Sequence, residues 1–206
     1  MIEQIACKLN RNDEVPNVEL AEKLVRNSDI VGIKEIADGL KDGNLAVVND
    51  CIKVLYEIGY RKPELIADYA VDFITGLKTK NNRLTWGCMK ALACISQLKA
   101  DLLYEHLDEI ITAYKKGSVI TIDNSISVFA NIAAFHPDYE KIIIPLLMDH
   151  LRKCRDKEVF QHAKRVSICI NAGNRDDFIG ILKERKKSLN LQQIKNIDKL
   201  MTTLLR

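Results

Sequence analysis

Proline and glycine are scarce. Four prolines and nine glycines in 206 residues, most of them where helical patterns stop, leave too few turn formers for an all-β fold. Long apolar runs are absent too, and no stretch approaches the roughly 18 residues needed to span a bilayer. The start, MIEQIACKLN, lacks the basic region and apolar core of a signal peptide. A cytoplasmic protein with no membrane contact is therefore expected. Six cysteines, Cys7, Cys51, Cys88, Cys94, Cys154 and Cys169, include no CxxC pair, which speaks for small buried thiols in a reducing compartment. Nor does the chain pair a Ser, Cys or Lys nucleophile with a recognisable base. It has no Gly-rich phosphate loop, HExxH motif or metal-binding carboxylate run. The expectation is no enzyme, no catalytic residue, no cofactor and no metal.

What the chain does have is helical periodicity in a composition that is 47% hydrophobic. In NNRLTWGCMKALACISQLK, from Asn81 to Lys99, turn-forming asparagines precede Leu84, Cys88, Ala91, Leu92 and Ile95 on one face of an amphipathic helix. A shift of 37 residues either way lands on NLAVVNDCIKVLYEIG from Asn44 and SVITIDNSISVFANIA from Ser118, with the same punctuation and apolar columns. The chain reads as a stack of helix pairs, one repeat domain over residues 1–206.

Residues 1–27 form an irregular cap. Repeats follow at 28–60, 61–99, 100–136 and 137–173, and a closing helical pair occupies 174–206. Ser28 is expected to N-cap the first helix and Gly59 to C-cap its partner. Pro63 opens the next first helix, through Leu65, Ile66, Tyr69, Phe73, Ile74 and Leu77. Its counterpart in the third repeat carries Leu102, Leu103, His106, Ile110, Ile111 and Tyr114. Leu55, Leu92, Phe129 and Val166 should be equivalent buried positions. Cys51 and Cys88 share a column, about 9–10 Å apart at ordinary helix spacing and too far for a disulfide. His150 and Cys154, i and i+4 on one helix with His162 or Cys169 nearby, offer zinc binding as the alternative.

Paired amphipathic helices at this period resemble the HEAT and armadillo-like repeat family, over about Ser28 to Asn171. The closest single copy is IIIPLLMDHLRKCRDKEV, with Pro145 inside the first helix and Asp156 and Val159 at the start of the second. The Asp and Arg/Lys ladders frequent in the family are absent. Their columns read Leu45, Asn82, Val119, Asp156 and Asn49, Trp86, Asp123, Phe160. The resemblance implies an all-α, right-handed α-solenoid whose second helices line a concave groove. The groove would hold a protein or peptide partner through Asn49, Lys53, Tyr56, Trp86, Lys90, Asp123, Ser127, Phe160 and Lys164. Trp86 is its expected anchor, because Trp is enriched among interface hot spots.

Charge offers an alternative. A net charge of +3 conceals 14 Lys and Arg against 6 Asp and Glu from Leu151 onward, a basic quarter suited to nucleic acid or an acidic partner. The HEAT-like alkylpurine DNA glycosylases are similar in length and helical pairing. On that resemblance Trp86 and Phe160 would be the aromatics, Asp123 the acid, and Lys53, Lys90 and Lys164 the phosphate contacts.

Overall fold

The computed structural model describes residues 1–204. Among them are twelve α-helices, several short 3₁₀ turns and no strand. The chain divides into two compact units, Met1–Ser125 and the residues from Ile126 onward.

In the first unit, α1 (Val15–Asn27) begins with Pro16 in its first turn and ends at Ser28, whose φ of 46° is left-handed. Ser28 is thus a C-cap rather than the expected N-cap. The next residue takes that role: the Asp29 carboxylate accepts the Gly32 N–H at 2.8 Å and starts α2 (Ile30–Asp38). A 3₁₀ turn over Gly39–Lys41 leads to α3 (Leu45–Arg61), capped by the Asn44 side chain, which accepts from the Ala46 N–H.

Helix α3 does not stop at Gly59. A Cβ there would lie 2.7 Å from Ile66 Cδ1 and 3.0 Å from the Cys94 Cβ, so this glycine serves close packing inside the helix instead of ending it. Gly59→Ala is expected to cost about 1–3 kcal/mol through overpacking, read as a lower urea midpoint at unchanged slope. A neutral result would mean that Ile66 and Cys94 can give way.

The first helices of the pairs are more broken than their periodicity implies. The segment opened by Pro63 makes 3₁₀ turns at Pro63–Leu65 and Ala67–Tyr69 before α4 (Ala70–Gly76). The third is interrupted at His106 into α6 (Ala100–Glu105) and α7 (Leu107–Lys116). Between them lies α5 (Asn82–Ile95), with the Asn81 side chain accepting from the Arg83 and Leu84 N–H groups. Helix α8 (Val119–Phe135) passes from the first unit into the second.

The second unit continues with α9 (Pro137–Lys153), which carries Pro145 in its interior, then α10 (Asp156–Val166), α11 (Arg175–Arg185) and α12 (Leu191–Leu204). Its core includes Phe129, Leu147, Leu151, Val159, Phe178, Leu182 and Ile197. Arg185 clamps the turn between α9 and α10. Its guanidinium donates to the Leu151 carbonyl at 2.6 Å, the Cys154 carbonyl at 2.7 Å and the Asp156 carboxylate at 2.8 Å.

Helices α3, α5, α8 and α10 begin at Leu45, Asn82, Val119 and Asp156, and Leu55, Leu92, Phe129 and Val166 on them are all 0% exposed. No helix among the described residues is long and apolar enough to cross a membrane.

Candidate functional site

Helices α3 and α5 pack side by side in the first unit. One face of α3 carries Asn49, Lys53, Tyr56 and Tyr60, and the adjoining face of α5 carries Arg83, Trp86 and Lys90, spacings that keep each set on one stripe. Tyr56 is the centre of the cluster. Its ring lies 5.9 Å from Trp86 and 5.7 Å from Tyr60, centroid to centroid. The Lys90 ammonium sits 4.5 Å from the Tyr56 centroid and 4.9 Å from that of Trp86, and the Lys53 ammonium 5.0 Å from Tyr56, all within cation–π range.

The two lysines differ in their neutralisation. Lys53 bonds Glu14, which precedes α1, and Glu57, each at 2.9 Å. Burial works against its ammonium, but the hydrogen bonds to Glu57 and Glu14 prevail and hold its pKa above the ordinary lysine value. Glu57 shows the reverse balance: burial raises it, while hydrogen bonds from Lys53 and Arg61 bring it below the usual carboxylate range. Lys90 forms no ion pair among the described residues, and burial together with the Lys53 charge lowers its pKa. Arg83 donates through Nη2 to Glu14 at 2.7 Å, while its Nε is shielded from solvent and bonds no protein atom among the described residues.

The expected contact residues are thus placed unevenly. Asn49, Lys53, Tyr56, Trp86 and Lys90 come together, with the Asn49 side-chain oxygen accepting from Asn81 Nδ2 at 2.8 Å. Lys53 and Tyr56, expected on an open column, are 8% and 2% exposed. The reason is the ring of carboxylates and aromatics that closes over them. Trp86 and Lys90 are half-buried, leaving part of each accessible. Asp123 is half-buried on α8; Ser127 and Phe160, half-buried, and exposed Lys164 belong to the second unit.

Arg83, Glu14 and Glu57 complete the cluster and were missed by sequence reading. Arg83 is legible afterwards as the residue one turn before Trp86, but Glu14 reaches the site only through the fold. His106 is half-buried, 3.2 Å from Glu109. A separate open cleft of about 640 Å³ is lined by Lys78, Lys80, Thr85, Asp108, Glu109 and Lys116 among others, away from the aromatic cluster. All six cysteines are free. His150, Cys154 and His162 are drawn together with ligating atoms within 4.8 Å of one another, whereas the Cys169 thiol lies 3.1 Å from the Val166 carbonyl.

No family model matches the chain, and no curated protein matches it in sequence. Solved structures do. A designed armadillo repeat protein superposes with a TM-score of 0.66 at 16% identity, over 99% of this chain and 100% of that one. A second designed armadillo repeat protein, in complex with the peptide (KR)4, gives 0.68 at 16% identity over 96% of each chain. Kap121p bound to Pho4p gives 0.64 at 16% identity over 96% of this chain and 22% of that chain. The fold is that of armadillo and HEAT-like α-solenoids.

Proposed function

We propose that the chain is a non-enzymatic repeat scaffold that binds a protein or peptide segment on the face shared by α3 and α5. The observation that carries this reading is the accessible part of Trp86 with the Lys90 ammonium beside it, a cation that forms no ion pair among the described residues. A segment laying an apolar side chain on Trp86 would find the Lys90 ammonium beside it as a donor for its carbonyl or carboxylate oxygens. Charge-assisted bonds of this kind are the stronger class. Two structural neighbours were solved with a bound peptide or protein, which supports a protein partner for the same architecture.

The basic C-terminal quarter supplies less free charge than its composition implies. Lys153, Arg155, Arg185, Lys186 and Lys187 each pair with a nearby carboxylate. The proposal therefore places recognition on the aromatic cluster and not on phosphate contacts, and Lys53, held between Glu14 and Glu57, is assigned to positioning Tyr56.

Trp86→Ala is expected to weaken a partner identified by pull-down by at least about 2 kcal/mol, roughly 30-fold in Kd, with the helical circular dichroism unchanged. Val71→Asp, at a 54% exposed position on α4, is the comparison. A partner that binds Trp86→Ala normally and loses Val71→Asp would put the functional surface elsewhere. Lys90→Ala is expected to act mainly on association rate and its salt dependence.

A further inference from the structure

We propose that His150, Cys154 and His162 form a zinc site that ties the end of α9 to α10. His150 lies in the last turn of α9, Cys154 is its C-cap with its N–H donating to the His150 carbonyl at 2.8 Å, and His162 projects from the middle of α10. His150 and His162 are 6% and 0% exposed, and Cys154 is half-buried at the edge of the pair. Two imidazoles and a thiolate are the donor set zinc prefers, with bonds of about 2.0–2.1 Å to nitrogen and 2.3 Å to sulfur. Tetrahedral binding at those lengths puts the donors about 3.3–3.6 Å apart, inside the 4.8 Å within which all three already lie.

The histidine pair is arranged for this exchange. His150 Nε2 and His162 Nδ1 are 2.8 Å apart, one carrying a hydrogen that the lone pair of the other accepts. Zinc replaces that hydrogen. The proton moves to the other nitrogen of its own ring, the nitrogens separate by about half an ångström to reach tetrahedral spacing, and Cys154 releases its thiol proton to solvent. Each zinc bound thus frees one proton, and a water completes the fourth position.

Arg185 supplies the support that a preformed site needs. It holds the Leu151 carbonyl and the carbonyl of Cys154 itself and lies 3.8 Å from the Cys154 sulfur, fixing the turn and offering a donor to the thiolate. Its own charge is met by Asp156, which limits its repulsion of the cation.

The test uses the full chain, stripped with a chelator under reducing conditions and titrated with Co²⁺ and then Zn²⁺. One equivalent of Co²⁺ is expected to produce a thiolate-to-cobalt charge-transfer band that zinc abolishes. Zinc at a hundredfold excess over its Kd is expected to raise Tm by about 5 °C or more. Cys154→Ser should lose the band and Cys169→Ser keep it. His162→Gln should weaken zinc binding at least about tenfold, a loss of the size seen when metal sites are disturbed. Should the variants unfold, alkylation of the wild-type chain decides: zinc is expected to protect Cys154, located by mass spectrometry. Absence of the band, its survival in Cys154→Ser, or full alkylation of Cys154 in the presence of zinc would each overturn the proposal.

Discussion

Leu92→Ala is expected to lower the stability of the chain by roughly 2–5 kcal/mol, the range for removing a fully buried leucine. The position decides why the loss should reach the upper part of that range. Leu92 is 0% exposed, as are Cys88, Ala91 and Ile95 on the same helix, and α5 is packed against both α3 and α4. A cavity bounded by helices on two sides has little means of closing, and an unrelaxed cavity adds to the lost transfer energy. Val48→Ala, at a 4% exposed position in the first turn of α3, removes less apolar volume and should cost markedly less. Urea unfolding of the two variants beside the parent protein gives the comparison. A loss below about 1 kcal/mol for Leu92→Ala would show that the α5 face is not the core that its apolar column marks.

That column was legible because burial on one helix face leaves a periodic trace in residue type. Leu84, Cys88, Ala91, Leu92 and Ile95 were read as an inward face, and all are 9% exposed or less. The starts of α3 and α5 were legible for a related reason: Asn44 and Asn81 cap their own helices within two or three residues, so the signal is local. The first helices were not. The breaks near Pro63 and at His106 follow from tertiary fitting of short segments that periodicity averages over.

The candidate site was half legible. Spacing placed Asn49, Lys53, Tyr56, Trp86 and Lys90 on adjoining stripes, but it could not show that Glu14 reaches back from before α1 to meet both Lys53 and Arg83. An aromatic and a lysine expected in solvent are covered as a result. The proposed zinc ligands divide in the same way. His150 and Cys154 are visible as an i, i+4 pair, while the choice of His162 over Cys169 depends on how α10 packs on α9.

Asp50 was invisible to periodicity, which reads a carboxylate in the second turn of a helix as surface. It is 8% exposed, and one of its oxygens accepts the Cys7 N–H at 2.8 Å while the other accepts from Asn17 Nδ2 at 2.8 Å. Asn17, 0% exposed, passes the network on by accepting the Ala6 N–H at 2.9 Å. One side chain of α3 thus fastens both the N-terminal turn and α1. Asp50→Ala strands two donors, each costing about 1–3 kcal/mol when left unsatisfied away from water, so a total loss of roughly 2–5 kcal/mol is expected. Asp50→Asn should cost less but not be silent, since its amide keeps one acceptor and turns a second donor toward a donor. Two local readouts separate this from general destabilisation. Hydrogen exchange at the Ala6 and Cys7 amides should accelerate while that in α10 and α11 stays unchanged. Cys7 should also alkylate faster, because burial and the Asp50 carboxylate together push its thiol pKa up to about 11, and removing the carboxylate takes away the second of those causes. Unchanged exchange at Ala6 and Cys7 in Asp50→Ala would mean that the N-terminal turn is held by its apolar contacts, Ile5 foremost at 0% exposed, and not by this carboxylate.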